Sequence, residues 1–505
     1  MAAPSKRQML MSPLWLQATV LLFVVGFSVL FYLAARTYQD QPPIPERVVN
    51  EAGETLFTRD DITAGQHVFQ KYGLMEFGTL FGHGAYLGPD FTADYLHRQA
   101  ELMVTSYARL PGSDDISALT RMRQELKSNH YDPATDTLVW EYLDLGRLWQ
   151  ALLTVGLLLW AFIIYRGLRG RLAGEHVGNM PYLFFYASLS IPVFYAVGMV
   201  STPQTEFTAT DFWRFWVVHL WVEDFLELFT TATVAYAFVL LGIVSASTGT
   251  RVIYLSAILY SVGGVIGTMH HLYFSGEPAI TLSLGAFFSA MEVIPLLLLT
   301  FEAWSFLRAG GLVGQSAKSF PHWWAVWFLV AVGFWNFLGA GVYGFLINLP
   351  IVSYYEIGTN LTANHAHTAM FGVYGMLAVA LMLFGLRYLI PPDRWSDRAA
   401  AISFWSLNVG LVWMSFVSML PVGFIQIADS FQNGYYHARE LSFVLSPLVN
   451  ALEWARLPGD LLFILGGVLP LLYLAVQAAV HRPSGRTIPE EQEIADHTLF
   501  TEIGE

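Results

Sequence analysis

The sequence predicts an all-α polytopic membrane protein, and three observations predict it. Of 505 residues, 55% are hydrophobic and only 13% are charged. Mean hydropathy is +0.47. Apolar runs of roughly 20 residues, the length that crosses a bilayer as a helix, recur along the whole chain.

The first run, near 13–35, follows Lys6 and Arg7, is too long for a removed signal and lacks a convincing small-residue cleavage site, so it reads as a retained anchor with a cytoplasmic N-terminus. Residues 1–37 are this anchor unit. Further spans are expected near 143–166, 181–201, 211–246, 251–274, 278–307, 322–348, 362–389, 400–428 and 457–480, which makes about ten. Counted from the first, the loops with Arg166, Arg169 and Arg171, with Arg251, with Arg308 and Lys318, and with Arg387, Arg394 and Arg398 all fall on the cytoplasmic side. Residues 38–139 are then extracytoplasmic: a polar segment opened by Gln41-Pro-Pro-Ile-Pro45, with helical patterns near 60–72, 91–108 and 114–129. Residues 140–482 form the transmembrane core, and 483–505, with Glu490, Glu491, Glu493 and Asp496, an acidic cytoplasmic tail.

Composition also excludes chemistry. The chain has no cysteine, which rules out disulfides, thiolate iron–sulfur clusters and covalent haem attachment, so any haem must be held by histidine. There is no glycine-rich nucleotide motif, no internal repeat and no basic patch, so no nucleic-acid partner is expected. The formal charge of −13 says little about partners in a chain whose surface is mostly lipid-facing.

Five histidines, His219, His270, His271, His365 and His367, lie inside apolar, membrane-length stretches, with Glu223, Glu227 and Glu292 buried beside them. Ionisable groups at that depth read as functional. His219 lies about eight residues, roughly 12 Å, down its span. His270 and His271 end an outward-running span and His365 and His367 open an inward-running one, so all five share the outer half of the membrane. Two residues along a helix is about 200° of rotation, so His365 and His367 leave opposite sides, cannot bind one small metal ion together and could bind two haems, one on each side. Adjacent His270 and His271, with His219 from another helix, suit one non-haem iron or copper. Glu223 follows His219 by four residues and shares its face, where a carboxylate ligates metal or supplies protons. The bland alternative for a lone intramembrane histidine is a helix-to-helix hydrogen bond. For Glu223, Asp224 and Glu227 it is a water-lined or salt-bridged structural cluster.

His219-Leu-Trp-Val-Glu223, Gly267-Thr-Met-His270-His271, Phe288-Ser-Ala-Met-Glu292 and Asn364-His365-Ala-His367 resemble the core of the nitric oxide reductases of the haem-copper oxidase superfamily. Ala64-Gly-Gln, Gly82-His-Gly84-Ala-Tyr86-Leu-Gly-Pro-Asp90 and Thr92-Ala-Asp-Tyr-Leu-His97-Arg98 are similar to the fused cytochrome-c-like domain, without haem, of the single-chain quinol branch. The resemblance implies a haem-copper-oxidase-like bundle in a cell inner membrane. It also implies a non-haem iron on His219, His270, His271 and Glu223, a high-spin haem b on His365, a low-spin haem b on His367, and catalytic roles for Glu223, Glu227 and Glu292. Calcium would be held by Glu141, Tyr86 and Gly84, and Asp460 would face the quinol. The implied reaction joins two nitric oxide molecules, two electrons from membrane quinol and two protons into nitrous oxide and water, in a monomer or homodimer.

The oxygen-reducing relatives characteristically carry tyrosine four residues after the first metal-binding histidine, where this chain has Glu223. The chain also departs from the quinol branch, passing from about Leu138 directly to Glu141-Tyr-Leu-Asp-Leu-Gly, so about four helices are missing, with the second ligand of the low-spin haem. Three alternatives therefore stand beside the reductase: an incomplete relative binding at most one haem, a terminal quinol oxidase, and a nitric oxide dismutase.

Overall fold

The computed structural model describes residues 12–40, 44–49, 55–71, 74, 77–80, 83–84, 88–109, 115–125, 147–174, 176–201, 205, 207–273, 279–308 and 321–481. Among these, eight helices are long and apolar enough to cross a membrane: Pro13–Gln39, Gln150–Leu172, Met180–Val197, Ala279–Ser305, Trp323–Asn348, Asn360–Leu389, Asp397–Asn433 and Pro447–Val480. Each coincides with a span expected from the sequence. The two other expected spans are helical as well, but more polar. Phe207–Phe215, Trp216–Phe225 and Leu226–Leu240 follow one another and carry Asp211, Arg214, Glu223, Asp224 and Glu227. Ala246–Leu259 continues through Tyr260–Gly264 and Val265–Gly267 to the tight turn Thr268–His271 and carries Arg251.

The polar segment before the core holds helices Arg59–Lys71, Phe91–Ala108 and Asp115–Glu125, near the three expected patterns, and two small antiparallel hairpins. Asp90 fixes the start of the second helix: its carboxylate accepts from the backbone N–H of Ala93 at 2.7 Å and from the Thr79 hydroxyl at 2.7 Å. This segment docks on the loop after Asn433. The Asp90 N–H donates to the Arg439 carbonyl at 3.2 Å, the Tyr436 hydroxyl donates to Asp94 at 3.1 Å, and the His97 and Tyr436 rings stack at 3.9 Å.

Two apolar clusters hold the bundle. The larger gathers Trp335, Phe328, Phe404 and Tyr254, and the smaller packs Trp216 and Phe225 of the His219 helix against Phe27 and Phe194. Phe194 and Phe225 stack at 3.9 Å, which fixes the rotation of that helix. Side chains such as Leu159, Phe162 and Ile163 remain exposed, as lipid-facing positions do.

Among the described residues, six stretches of the bundle widen from α to π hydrogen bonding: Trp216–Phe225, Tyr260–Gly264, Asn336–Tyr343, Met370–Gly375, Met414–Met419 and Leu462–Val468. Such widenings concentrate at functional sites because they re-aim side chains that a straight helix would direct elsewhere. The first carries His219 and Glu223, and the third and fourth flank the helix that carries His365. Nothing in the residue pattern signals them.

Candidate metal centre

The widened turn Trp216–Phe225 sets His219 and Glu223 side by side, with His219 Nδ1 2.8 Å from Glu223 Oε2. The tight turn Thr268–His271 brings two adjacent imidazoles toward the same point: His270 Nε2 and His271 Nε2 are 2.9 Å apart, and His271 Nε2 is 3.1 Å from His219 Nδ1. Glu223 Oε1 lies 3.2 Å from His271 Nε2, and Glu223 Oε2 lies 4.0 Å from His270 Nε2. One ligand atom from each of the four residues falls within 4.8 Å of the others. Phe215 stacks on His271 at 5.2 Å and orients it.

This donor set fits a metal ion. Three imidazole nitrogens crowd together against a single carboxylate, an arrangement that protons alone satisfy poorly and one cation satisfies completely. The other nitrogen of His219 supports the same orientation, since Nε2 lies 3.1 Å from the Gly264 carbonyl and 3.5 Å from Asp224. Three histidines and a carboxylate suit iron.

His365 faces the cluster across a cavity of about 440 Å³ lined also by Glu223, Glu227, His270, His271 and Glu292. Its helix starts where it does for local reasons. Gly358 has φ +84°, which turns the chain, and Thr359 caps the next turn by accepting from the Leu361 N–H at 3.3 Å. Gln426 then accepts the Asn360 N–H at 2.7 Å. His365 Nδ1 donates to the Gly339 carbonyl at 2.8 Å, which leaves Nε2 as its ligand atom. Gly339 permits this approach, because a Cβ there would meet the Thr368 carbonyl oxygen at 2.8 Å. The cavity and the oriented imidazole together fit a haem held on one side.

His367 leaves the opposite side of the helix, as its spacing requires, but its surroundings differ. Its Nδ1 is bound to the Ala363 carbonyl at 2.8 Å, and its Nε2 accepts from the Arg456 guanidinium at 3.3 Å. Arg456 is in turn paired with Asp460 at 3.0 Å. The second haem expected on His367 does not fit the described residues: an arginine donor holds the lone pair that would bind iron, and no second histidine faces it there. Asp460, expected to face a quinol, is the partner of that arginine.

The remaining expected residues divide. Glu227 and Glu292 are buried, 4% and 3% exposed, and line the cavity. Gly84 lies in the short strand His83–Gly84, while Glu141 and Tyr86, the other residues expected to hold calcium, lie outside the described residues. Asp224 is fully buried beside His219 rather than part of a solvated cluster. Tyr374 lines the cavity and its hydroxyl donates to the Val222 carbonyl behind Glu223. Sequence reasoning also missed Glu356 at the cavity's far end. A signal was present: it is the only Asp, Glu, Lys or Arg between Lys318 and Arg387.

Comparison with known proteins agrees with this architecture. The family model described as Cytochrome C and Quinol oxidase polypeptide I matches residues 79–462, more than half of the chain. A nitric oxide reductase subunit from Stutzerimonas stutzeri is 30% identical over 220 residues, which cover 43% of this chain and 45% of that protein. The chain thus matches less than half the length of that relative. A multi-pass helical bundle with histidines gathered at its centre, matched along most of its length by this model, places the chain in the Cytochrome C and Quinol oxidase polypeptide I family of haem-copper oxidases.

Proposed function

We propose that this chain is a membrane nitric oxide reductase, converting two nitric oxide molecules, two electrons from membrane quinol and two protons into nitrous oxide and water. The observation that carries this reading is the carboxylate among the histidines: Glu223 completes the His219, His270 and His271 cluster and faces the His365 cavity. The oxygen-reducing relatives characteristically carry a tyrosine at that position, where this chain has Glu223. The partial match to a protein described as part of a nitric oxide reductase points the same way.

In this reading His219, His270, His271 and Glu223 hold a non-haem iron, and His365 holds a haem b. Held there, the two irons would supply the redox chemistry and bind the two substrate molecules in one cavity, which would turn a rare encounter into a neighbouring one. The protein's own groups do the rest. Val217, Val218 and Trp221 give the cavity apolar walls that suit a small uncharged substrate. Glu227 and Glu292 line the same cavity and hold the protons that water formation consumes. The chain lies in a cell inner membrane with residues 38–139, a cytochrome-c-like unit without haem, on the extracytoplasmic side.

A second reading is favoured by one observation. With Arg456 on His367, the chain is an incomplete relative that binds a single haem and lacks the internal electron path. Nitric oxide and oxygen consumption by purified protein, with haem and iron counted per chain, tests both. Nitric oxide consumption from a quinol donor supports the reductase. Oxygen consumption alone would make it an oxidase, and neither activity, with one haem, would leave the incomplete relative.

A further inference from the structure

The cavity has a second end that the proposed chemistry does not use. There Glu356, 3% exposed, closes the short helix Pro350–Glu356 in the loop between the spans Trp323–Asn348 and Asn360–Leu389. Its Oε2 accepts from the Thr362 hydroxyl at 2.8 Å, one turn before His365 on the same helix. Arg439 fixes the backbone on both sides of it, donating to the Tyr355 carbonyl at 2.7 Å and to the Ile357 carbonyl at 2.7 Å. The Arg439 carbonyl in turn accepts from Asp90 of the polar segment. Glu356 thus stands between the docked segment and the cavity, with its carboxyl group in the cavity wall.

We infer that Glu356 is a proton relay: it takes protons from the face that carries the 38–139 segment and passes them into the cavity toward Glu223, Glu227 and Glu292. This rests on the reductase reading for the use of the protons, but not for their route. Each transfer is balanced, since the carboxyl gives one proton inward and the carboxylate takes one from the outer side. Charge supports the role. Burial pushes the Glu356 carboxyl up to about 8, against the lowering effects of the Thr362 hydrogen bond and the nearby Arg439 guanidinium. The group therefore holds a transferable proton at neutral pH and loses it as pH rises through about 8. The titratable or charged groups facing it are Arg439 and Tyr435 in the outer loop and, across the cavity, Arg214, Glu223, Glu227, Glu292, His270, His271 and His365.

The test uses the full chain in liposomes, with the 38–139 segment outward and a pH-sensitive dye outside. Proton uptake is followed when the centre is reduced without nitric oxide. Glu356→Gln is expected to slow uptake about 100-fold with haem and iron content unchanged. Glu356→Asp, which keeps the acid, is expected to restore most of it. Wild-type uptake should fall off around pH 8, and this limb should vanish in the Gln variant. Uptake at the wild-type rate in Glu356→Gln, or an unmoved pH limb, overturns the relay. If the Gln variant does not assemble, Thr362→Val leaves the carboxyl and removes its hydroxyl donor. A several-fold slower uptake there supports the relay, and an unchanged rate overturns it. Uptake that depends on Glu356 in a chain that consumes no nitric oxide keeps the relay and sinks the reductase. Nitric oxide consumption with unchanged uptake in Glu356→Gln does the reverse.

Discussion

Two histidines two residues apart on one helix, His365 and His367, are held in the same way and meet different fates. Each donates its Nδ1 proton to a backbone carbonyl at 2.8 Å, and each therefore presents Nε2 as a ligand. His365 presents it to a cavity lined also by Glu223, His270 and His271, three of the four residues of the candidate metal cluster. His367 presents it to Arg456, which is anchored by Asp460. A histidine of the right tautomer is thus only half of a haem site. The other half is what stands opposite, and on the His367 side that is an arginine.

The largest effect that would sharpen this contrast is His365→Ala. Loss of the axial ligand should remove the haem from the cavity, and with it all nitric oxide consumption, as read by pyridine haemochrome and a nitric oxide electrode. Retention of the full haem content would mean that the cavity is not where the haem sits. The companion change, His367→Ala, should leave haem content as it was, and loss of a low-spin signal there would break the comparison outright.

Next in size is Glu223→Ala. It removes one of four ligands and the carboxylate that separates this centre from an all-imidazole one. Iron affinity should fall by more than the roughly 10–100-fold that loss of a group supporting a ligand costs, and nitric oxide consumption should disappear while haem content stays near normal. Metal analysis beside the haem assay reads both. Unchanged turnover would take Glu223 out of the centre.

The parts of this centre that follow from local geometry are legible in the sequence. The four-residue spacing of His219 and Glu223 gives their shared face, and the two-residue spacing of His365 and His367 gives their opposite sides. Eight of the expected spans are legible too, because length and apolarity alone define them. What depends on tertiary packing is not. The π-widened turns are not marked along the chain: the residues of Trp216–Phe225 carry no pattern that sets them apart from an ordinary helix. Glu356 stands out along the chain as the only Asp, Glu, Lys or Arg between Lys318 and Arg387, but its place in the cavity wall shows only once the loop is seen folded under Arg439. Arg456 and His367 belong to different spans, and nothing along the chain announces that they touch. By contrast, counting histidines along the chain already leaves His367 without a partner for a second haem, and among the described residues Arg456 stands at its Nε2.

The smallest expected effect bears most directly on the comparison. Arg456→Ala frees the Nε2 of His367 and leaves Asp460 without its partner. If Arg456 merely covered a complete haem site, removing it would let a second haem bind, and the haemochrome count would rise from one to two per chain. The structure leads to the other result. Iron in a low-spin haem needs a strong ligand on each face, and no histidine stands opposite His367 among the described residues. The count should therefore stay at one, and turnover with an artificial electron donor should change little, because the ion pair is half-exposed and lies on the opposite side of the helix from the cavity. Added imidazole then sharpens the result. A small free ligand can stand in for the missing histidine, so a second, low-spin haem that appears only in Arg456→Ala with imidazole and added haem would show that His367 remains a competent ligand. It would also show that its partner, rather than His367 itself, is what this chain lacks.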